Sequence, residues 1–321
     1  MTSRFTRNVM VILLFLFAPV ITRAQSLKIT LLGTGNPGPS LERFGPSTLI
    51  EAGDERLLFD CGRGVPQRVF QLKIPFSHIN ALFLTHLHSD HVLGIPDLWL
   101  TGWVLGRDTP LRLWGPTGTK DMTTNLQNAY EADIRIRIAD EGLPKEGATL
   151  VANDITVGVV YENKGIKITA FEVDHGDLIK PAFGYRIDYA GRSVVLSGDT
   201  RPSEKLIEMS RGVDALIHEV ATVPPAFLID QPQAPALPPW LSRQRLRQIV
   251  AHHSTPEQAG QIFATTKPKL AVYSHIVLFG GLTVNDLINR TRSTYAGPLE
   301  VGEDLMVIDV GETVKVTRPT Q

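Results

Sequence analysis

The chain has 321 residues, 43% hydrophobic and 20% charged, with a formal net charge of −1. That is an ordinary make-up for a soluble globular protein, and the length encloses a substantial core in one large α/β domain or two small ones. A near-neutral balance with no basic stripe supplies no field for a polyanion and weighs against nucleic acid as a partner, and a single cysteine, Cys61, excludes an intramolecular disulfide.

Taken in chain order, the first feature is an address. Arg4 and Arg7 precede an apolar run over 9–21, and Thr22-Arg23-Ala24 follows with small residues at the cleavage positions. This pattern predicts a signal peptide over 1–24, because the run is too short to span a bilayer comfortably. Cleavage after Ala24 removes Arg4, Arg7 and Arg23 and no acid, moving the charge from −1 to −4. The mature form, 25–321, is then expected as one soluble domain, secreted or periplasmic, with no membrane contact and a homodimer left open.

Short runs rich in Val, Ile, Leu and Phe predict strands at 27–32, 48–50, 57–60, 81–85, 111–114, 166–173, 183–187, 193–197, 215–218, 270–274, 305–308 and 313–316. Helical periodicity predicts helices at 65–72, 119–130, 203–209, 241–250, 256–265 and 284–291. The alternation points to a layered α/β architecture. Six prolines between Pro224 and Trp240 exclude a helix or inner strand there and predict a long irregular loop, either a lid or a plain surface excursion.

The decisive segment is Thr85-His86-Leu87-His88-Ser89-Asp90-His91. An apolar strand ends and releases three histidines and an aspartate within six positions. His86 and His88, two apart on an extended backbone, point to the same side. Asp90 and His91 follow after a turn and can face a second position. One metal needs only three or four protein ligands, so four clustered donors with more downstream point to two ions. Those further donors are His175, Asp199 and His275, each at the carboxyl end of an apolar strand, where α/β folds gather their sites. Imidazole and carboxylate donors fit zinc, with manganese or iron as alternatives. Paired ions bring the pKa of a shared water to about 7, making hydroxide available at neutral pH. Asp90 sits where it could orient or deprotonate that water, and Asp60 is expected to fix a ligand histidine from behind.

These residues resemble the metallo-β-lactamase superfamily, in the central Thr-His-Leu-His-Ser-Asp-His string and in Phe59-Asp60-Cys61-Gly62 upstream. The resemblance implies an αββα sandwich of two mixed sheets flanked by helices. It also implies one metal on His86, His88 and His175, a second on Asp90, His91 and His275, and Asp199 bridging both. Closer likeness is to the ribonuclease Z-like and arylsulfatase-like group. It is carried by Leu31-Leu32-Gly33-Thr34-Gly35, Asp174-His175-Gly176 with Phe183-Gly184-Tyr185, His218-Glu219-Val220-Ala221-Thr222, and His253-Ser254-Thr255. The strings Phe44–Thr48, 94–103 and 133–140 resemble the guanitoxin-biosynthesis hydrolase subfamily of this fold. By the resemblance, His253 tuned by Glu219 protonates the leaving group.

The expected function is therefore an exported dinuclear zinc hydrolase of a small anionic ester, a phosphodiester or an aryl sulfate. Lactone or amide hydrolysis is the alternative, followed by a mononuclear iron oxygenase and a binding protein that keeps its metals without turnover. Only twenty-four positions separate His175 from Asp199, too few for the substrate-gripping arm common in ribonuclease Z. With the export signal, this adds to the expectation of a small-molecule substrate. Arg43 and Ser47 are candidates to hold its charge, and Trp99, Trp103, Trp240 and Phe279 to form an apolar wall.

Overall fold

A computed structural model describes residues 27–79 and 81–319, so the expected signal peptide lies outside the described residues. The first sheet takes β1 (Leu27–Gly33), β2 (Ser47–Ala52), β3 (Glu55–Phe59), β4 (Ala81–Phe83), β5 (Leu111–Gly115) and β6 (Leu150–Asp154) from the first half of the chain. The second takes β7 (Gly158–Asn163), β8 (Ile166–Glu172), β9 (Phe183–Tyr189), β10 (Arg192–Leu196), β11 (Ala215–Thr222), β12 (Leu270–Leu278) and β13 (Leu299–Val301). The chain then returns to the first sheet with β14 (Val307–Val310) and β15 (Val314–Thr317), giving orders β15-β14-β1-β2-β3-β4-β5-β6 and β13-β12-β11-β10-β9-β8-β7.

Alternation along the strands builds the layers. Leu57 and Phe59 of β3, Ala81 and Phe83 of β4, and Ile217 and Val272 of β11 and β12 point into one cluster shared by both sheets. Their neighbours Leu58 and Leu82 face outward, against α1 (Val65–Gln71), α3 (Ile95–Val104) and α4 (Thr119–Ala129). Leu216 and Ala271 face the opposite way, against α6 (Glu204–Ser210), α8 (Pro256–Thr266) and α9 (Val284–Arg292). Strands buried on both faces need such double-sided apolar sequences, and the result is the expected αββα sandwich. The short α2 (Ser89–Val92), α5 (Glu131–Glu141) and α7 (Arg243–Ala251) complete the helices. No helix of the described residues is long and apolar enough to cross a membrane.

Two departures from the strand pattern prepare the site. β4 stops at Phe83, and the Thr85 carbonyl accepts a hydrogen bond from Phe183 N at 2.9 Å, tying the two sheets together where the His86 loop begins. Between β11 and β12 the register shifts, so that Ser274 and His275 stand opposite Glu219 alone. A bulge of this kind re-aims side chains beside functional sites. His275 accordingly has φ 47°, and Asp60 has φ 55°, both in the left-handed region where non-glycine residues are uncommon.

Candidate metal centre

All seven expected ligands converge on one edge of the sandwich. In the first set, His86 Nε2 lies 3.0 Å from His88 Nδ1, which lies 3.2 Å from His175 Nε2. In the second, Asp90 Oδ2 lies 3.2 Å from His275 Nε2 and 3.7 Å from His91 Nε2. Asp199 stands between the sets. Its Oδ2 is 3.9 and 3.8 Å from the Nε2 atoms of His86 and His175, and 3.4 and 3.2 Å from those of His91 and His275. Donors about 2.0–2.1 Å from a tetrahedral ion stand roughly 3.3 Å apart, so both sets have the spacing that an ion needs. All but His88 are buried.

The surroundings fix which nitrogen of each ring faces inward. His91 Nδ1 pairs with Asp60 Oδ2 at 2.8 Å, leaving Nε2 buried, turned to the carboxylates and without an aligned hydrogen bond. His175 Nδ1 donates to the His252 carbonyl at 3.0 Å, so His252 acts through its backbone. His86 Nδ1 meets Thr85 Oγ1 at 3.0 Å, and Thr85 N donates to Asp60 Oδ1 at 2.8 Å. Thr85 was read only as the end of a strand; its position beside Asp60 was the available signal. Glycine at 45 and 62 lets the chain pass directly beneath, since a Cβ on Gly62 would stand 2.6 Å from the Asp90 carbonyl and 2.4 Å from Gly45.

Electrostatics separate the histidines. Burial pushes His86 well below the ordinary range and His175 down to about 4, so both rings are neutral at pH 7. Burial opposes charge on His91 as well, but Asp199 and Asp60 outweigh it and raise its pKa well above that of an ordinary histidine. Burial alone would raise Asp199, yet His275 and His91 hold it well below the usual carboxylate range. A proton on His91 in the metal-free protein therefore does what a cation would do, compensating buried carboxylates that cannot stand alone. This donor set fits divalent metal.

Glu219 and His253 lie beside this cluster. Thirty-four residues apart in the chain, they meet with His253 Nδ1 at 3.0 Å from Glu219 Oε2, while Ser254 N donates to Oε1 at 2.7 Å. Ser254 precedes the capping box at the start of α8, where Thr255 and Gln258 bond reciprocally. The ring of His253 stacks near that of His275, with centroids 5.6 Å apart. Burial works against its charge, but Glu219 raises its pKa to about 9.

Other expectations are corrected. Trp99 and Trp103 are 0% exposed and pack in the core, so they form no wall at the site. Ser47 is buried and donates to the Asp60 carbonyl, and Arg43 Nη1 is occupied by Thr34 Oγ1 and the Gly302 carbonyl. Cys61 is buried and packs in the core against α1 and α3. The proline-rich loop builds a small apolar cluster of its own around Val223, Leu241 and Leu246, with Phe227 and Phe279 against it, and leaves Trp240 66% exposed.

An αββα sandwich with histidines and carboxylates gathered at one edge defines a class of metal-dependent hydrolases. Residues 55–276 match the family described as "Beta-lactamase superfamily domain", and the chain belongs to that superfamily. Within it, the chain is ribonuclease Z-like. It is 36% identical over 289 residues to Ribonuclease Z of Mycobacterium avium (strain 104), covering 88% of this chain and 98% of that protein. Against Ribonuclease Z of Mycobacterium bovis (strain BCG / Pasteur 1173P2), identity is 34%, again over 88% and 98%. Among solved structures, human tRNase Z, short form (ELAC1), matches with a TM-score of 0.64 and 21% identity over 88% of this chain and 99% of that one. The metallo-β-lactamase fold protein YhfI from Bacillus subtilis matches at 0.67 and 19%, over 88% and 99%.

These relatives overturn the expectation that weighed against nucleic acid. They carry the name of a ribonuclease and match along nearly the whole described chain. The physical reason for the error is that net charge is a sum over the surface and says nothing of where charge sits. Attraction for a phosphate can come from a few groups at one rim, and the length between His175 and Asp199 tests only one place for a gripping element.

Proposed function

We propose that the chain is an exported dinuclear phosphodiesterase whose substrate class is RNA. His86, His88 and His175 hold one cation, Asp90, His91 and His275 hold a second, and Asp199 is shared. The observation that carries this reading is the 3.2–3.9 Å spacing of one Asp199 oxygen from four inward-facing histidine nitrogens, two from each set. Zinc suits the donors, with manganese or iron as alternatives. When bound, the two ions would supply an ionised water near neutral pH and positive charge beside the phosphorus.

The residues of the chain do the rest. Burial opposes charge on Asp90, but His275 and His91 together outweigh it and keep the carboxylate ionised in the metal-free protein; with cations bound their charge would do the same, and Asp90 takes a proton from the attacking water. The bond from water oxygen to phosphorus forms as the bond to the leaving oxygen breaks. His253, kept protonated by Glu219, gives its proton to that oxygen. The relatives named Ribonuclease Z support RNA as the substrate class, and the pattern over 1–24 supports export.

The test is a panel on purified protein lacking 1–24: a short oligoribonucleotide, bis-p-nitrophenyl phosphate, p-nitrophenyl sulfate and a homoserine lactone. Hydrolysis of the oligonucleotide and the phosphodiester is expected. Activity confined to the sulfate would move the site to aryl sulfates, and activity confined to the lactone would reject attack at phosphorus altogether.

A further inference from the structure

Residues of both sheets line a cavity of about 50 Å³ that reaches the metal centre. Its lining runs from the shared core, at Phe59, Leu196 and Ile217, to the metal ligands His91, Asp199 and His275. Thr48, Ser274 and Glu219 also line it, and all three are buried. The cavity is therefore polar where it meets the ligands and apolar where it meets the core.

Two of the ligands that line it carry buried atoms with no hydrogen-bond partner among the described residues, His275 Nδ1 and Asp199 Oδ1. Their other atoms, His275 Nε2 and Asp199 Oδ2, face each other at 3.2 Å within the centre, which leaves Nδ1 and Oδ1 to find partners elsewhere. His86, His91 and His175 each have an outer partner, in Thr85, Asp60 and the His252 carbonyl. His275 has none, although a ligand histidine is ordinarily held through its second nitrogen. Glu219 stands close by. Its carboxylate, a ring nitrogen of His253 and one of His275 lie within 4.8 Å of one another, yet only His253 is in hydrogen-bond contact with it. A gap beyond direct contact but within that limit is one that a single water bridges, with two bonds of about 2.8 Å each.

Resting on the two-cation reading above, we infer that this cavity is a binding site for a structural water, the outer partner of His275. The water accepts from His275 Nδ1–H and donates to Asp199 Oδ1 and to the Glu219 carboxylate, the three bonds usual for a buried water. Buried polar atoms are nearly always paired, and one water needs only about 10–15 Å³ of such space. Glu219 thereby positions two groups, His253 directly and His275 through the water. One carboxylate sets both the proton donor and the second cation.

The test joins a high-resolution crystal structure of metal-loaded wild type to chelator competition on wild type and four variants. Density is expected for a water within hydrogen-bond distance of both His275 Nδ1 and Asp199 Oδ1. Thr48→Met, long and flexible enough to fill the space, should weaken the second ion about tenfold and leave the first in place. Thr48→Val keeps the shape and should bind both ions as wild type does. Glu219→Gln should weaken the second ion alone by a similar factor, whereas His253→Gln holds both. A dry cavity, or a direct bond between His275 and Glu219 in the density, would overturn the water. So would unchanged second-ion affinity in Thr48→Met and Glu219→Gln, or equal weakening of both ions. Wild type that binds fewer than two ions would overturn the two-cation reading instead, and the density would still decide the water.

Discussion

The two sheets contribute to the metal centre in opposite ways. The first delivers His86, His88, Asp90 and His91 from one contiguous segment after β4, the loop and the short α2 that follows it. The second delivers His175, Asp199 and His275 singly, from the ends of β8 and β10 and from the bulge in β12. The loop can set its own side chains by local geometry, whereas the second set exists only when the whole sheet is folded in register. Asp199, from the second sheet, is the side chain that touches both sets, so the distributed half should control the compact one.

Replacing Asp199 by Ala breaks that comparison most severely. Turnover on bis-p-nitrophenyl phosphate should fall on the order of 10³-fold or more, and bound metal should drop from two ions per chain to one or none. A variant that keeps both ions would show the two regions to be independent. The next effect comes from His253→Gln, which should lower kcat about 10²-fold and leave metal content unchanged. If metal is lost with it, His253 is a ligand rather than a proton donor.

The same pair sharpens the comparison through pH. The pKa of His253 is raised above its unfolded value, to about 9, chiefly by Glu219 against the effect of burial. Its contribution to the stability of the metal-free protein is thus fully present below about pH 6.5 and lost as pH rises through about 9. The melting temperature of metal-free wild type should exceed that of His253→Gln at pH 6, and the gap should close by pH 10. A gap that widens with pH would contradict this sign.

A smaller effect is expected from Asp60→Asn, which loosens His91 directly and reaches His86 only through Thr85. Affinity for the second ion should fall about 10–100-fold, read by competition with a chelator, while the first ion is retained. Equal weakening of both would place Asp60 under the whole centre.

How much of this was legible in the sequence follows the same division. The His86–His91 loop is contiguous and could be read at once. His175, Asp199 and His275 were legible because each ends a run of alternating apolar residues, and Glu219 and His253 through short motifs. The bulge that turns His275 could not be read, because register is a property of two strands. Helix α5 was missed since Ile134, Ile136 and Ile138 repeat every second residue, and none of its residues is buried. Edge strand β7 was missed because Val159 lies exposed and Tyr161 is its one buried residue, too little for an alternating pattern. Trp99 and Trp103 looked like surface for a ligand and are core. Arg43 drew attention as a cation near the site, and only its partners in three dimensions, Thr34 and the Gly302 carbonyl, show that its guanidinium is already held.

The most direct measurement is the metal content of purified wild-type protein, by plasma mass spectrometry, with proton release followed during reloading of stripped protein at pH 7. Two ions per chain should bind, with release of about one proton from His91, the ring held charged in the metal-free state. Full phosphodiesterase activity with one ion or none would contradict a shared two-ion centre.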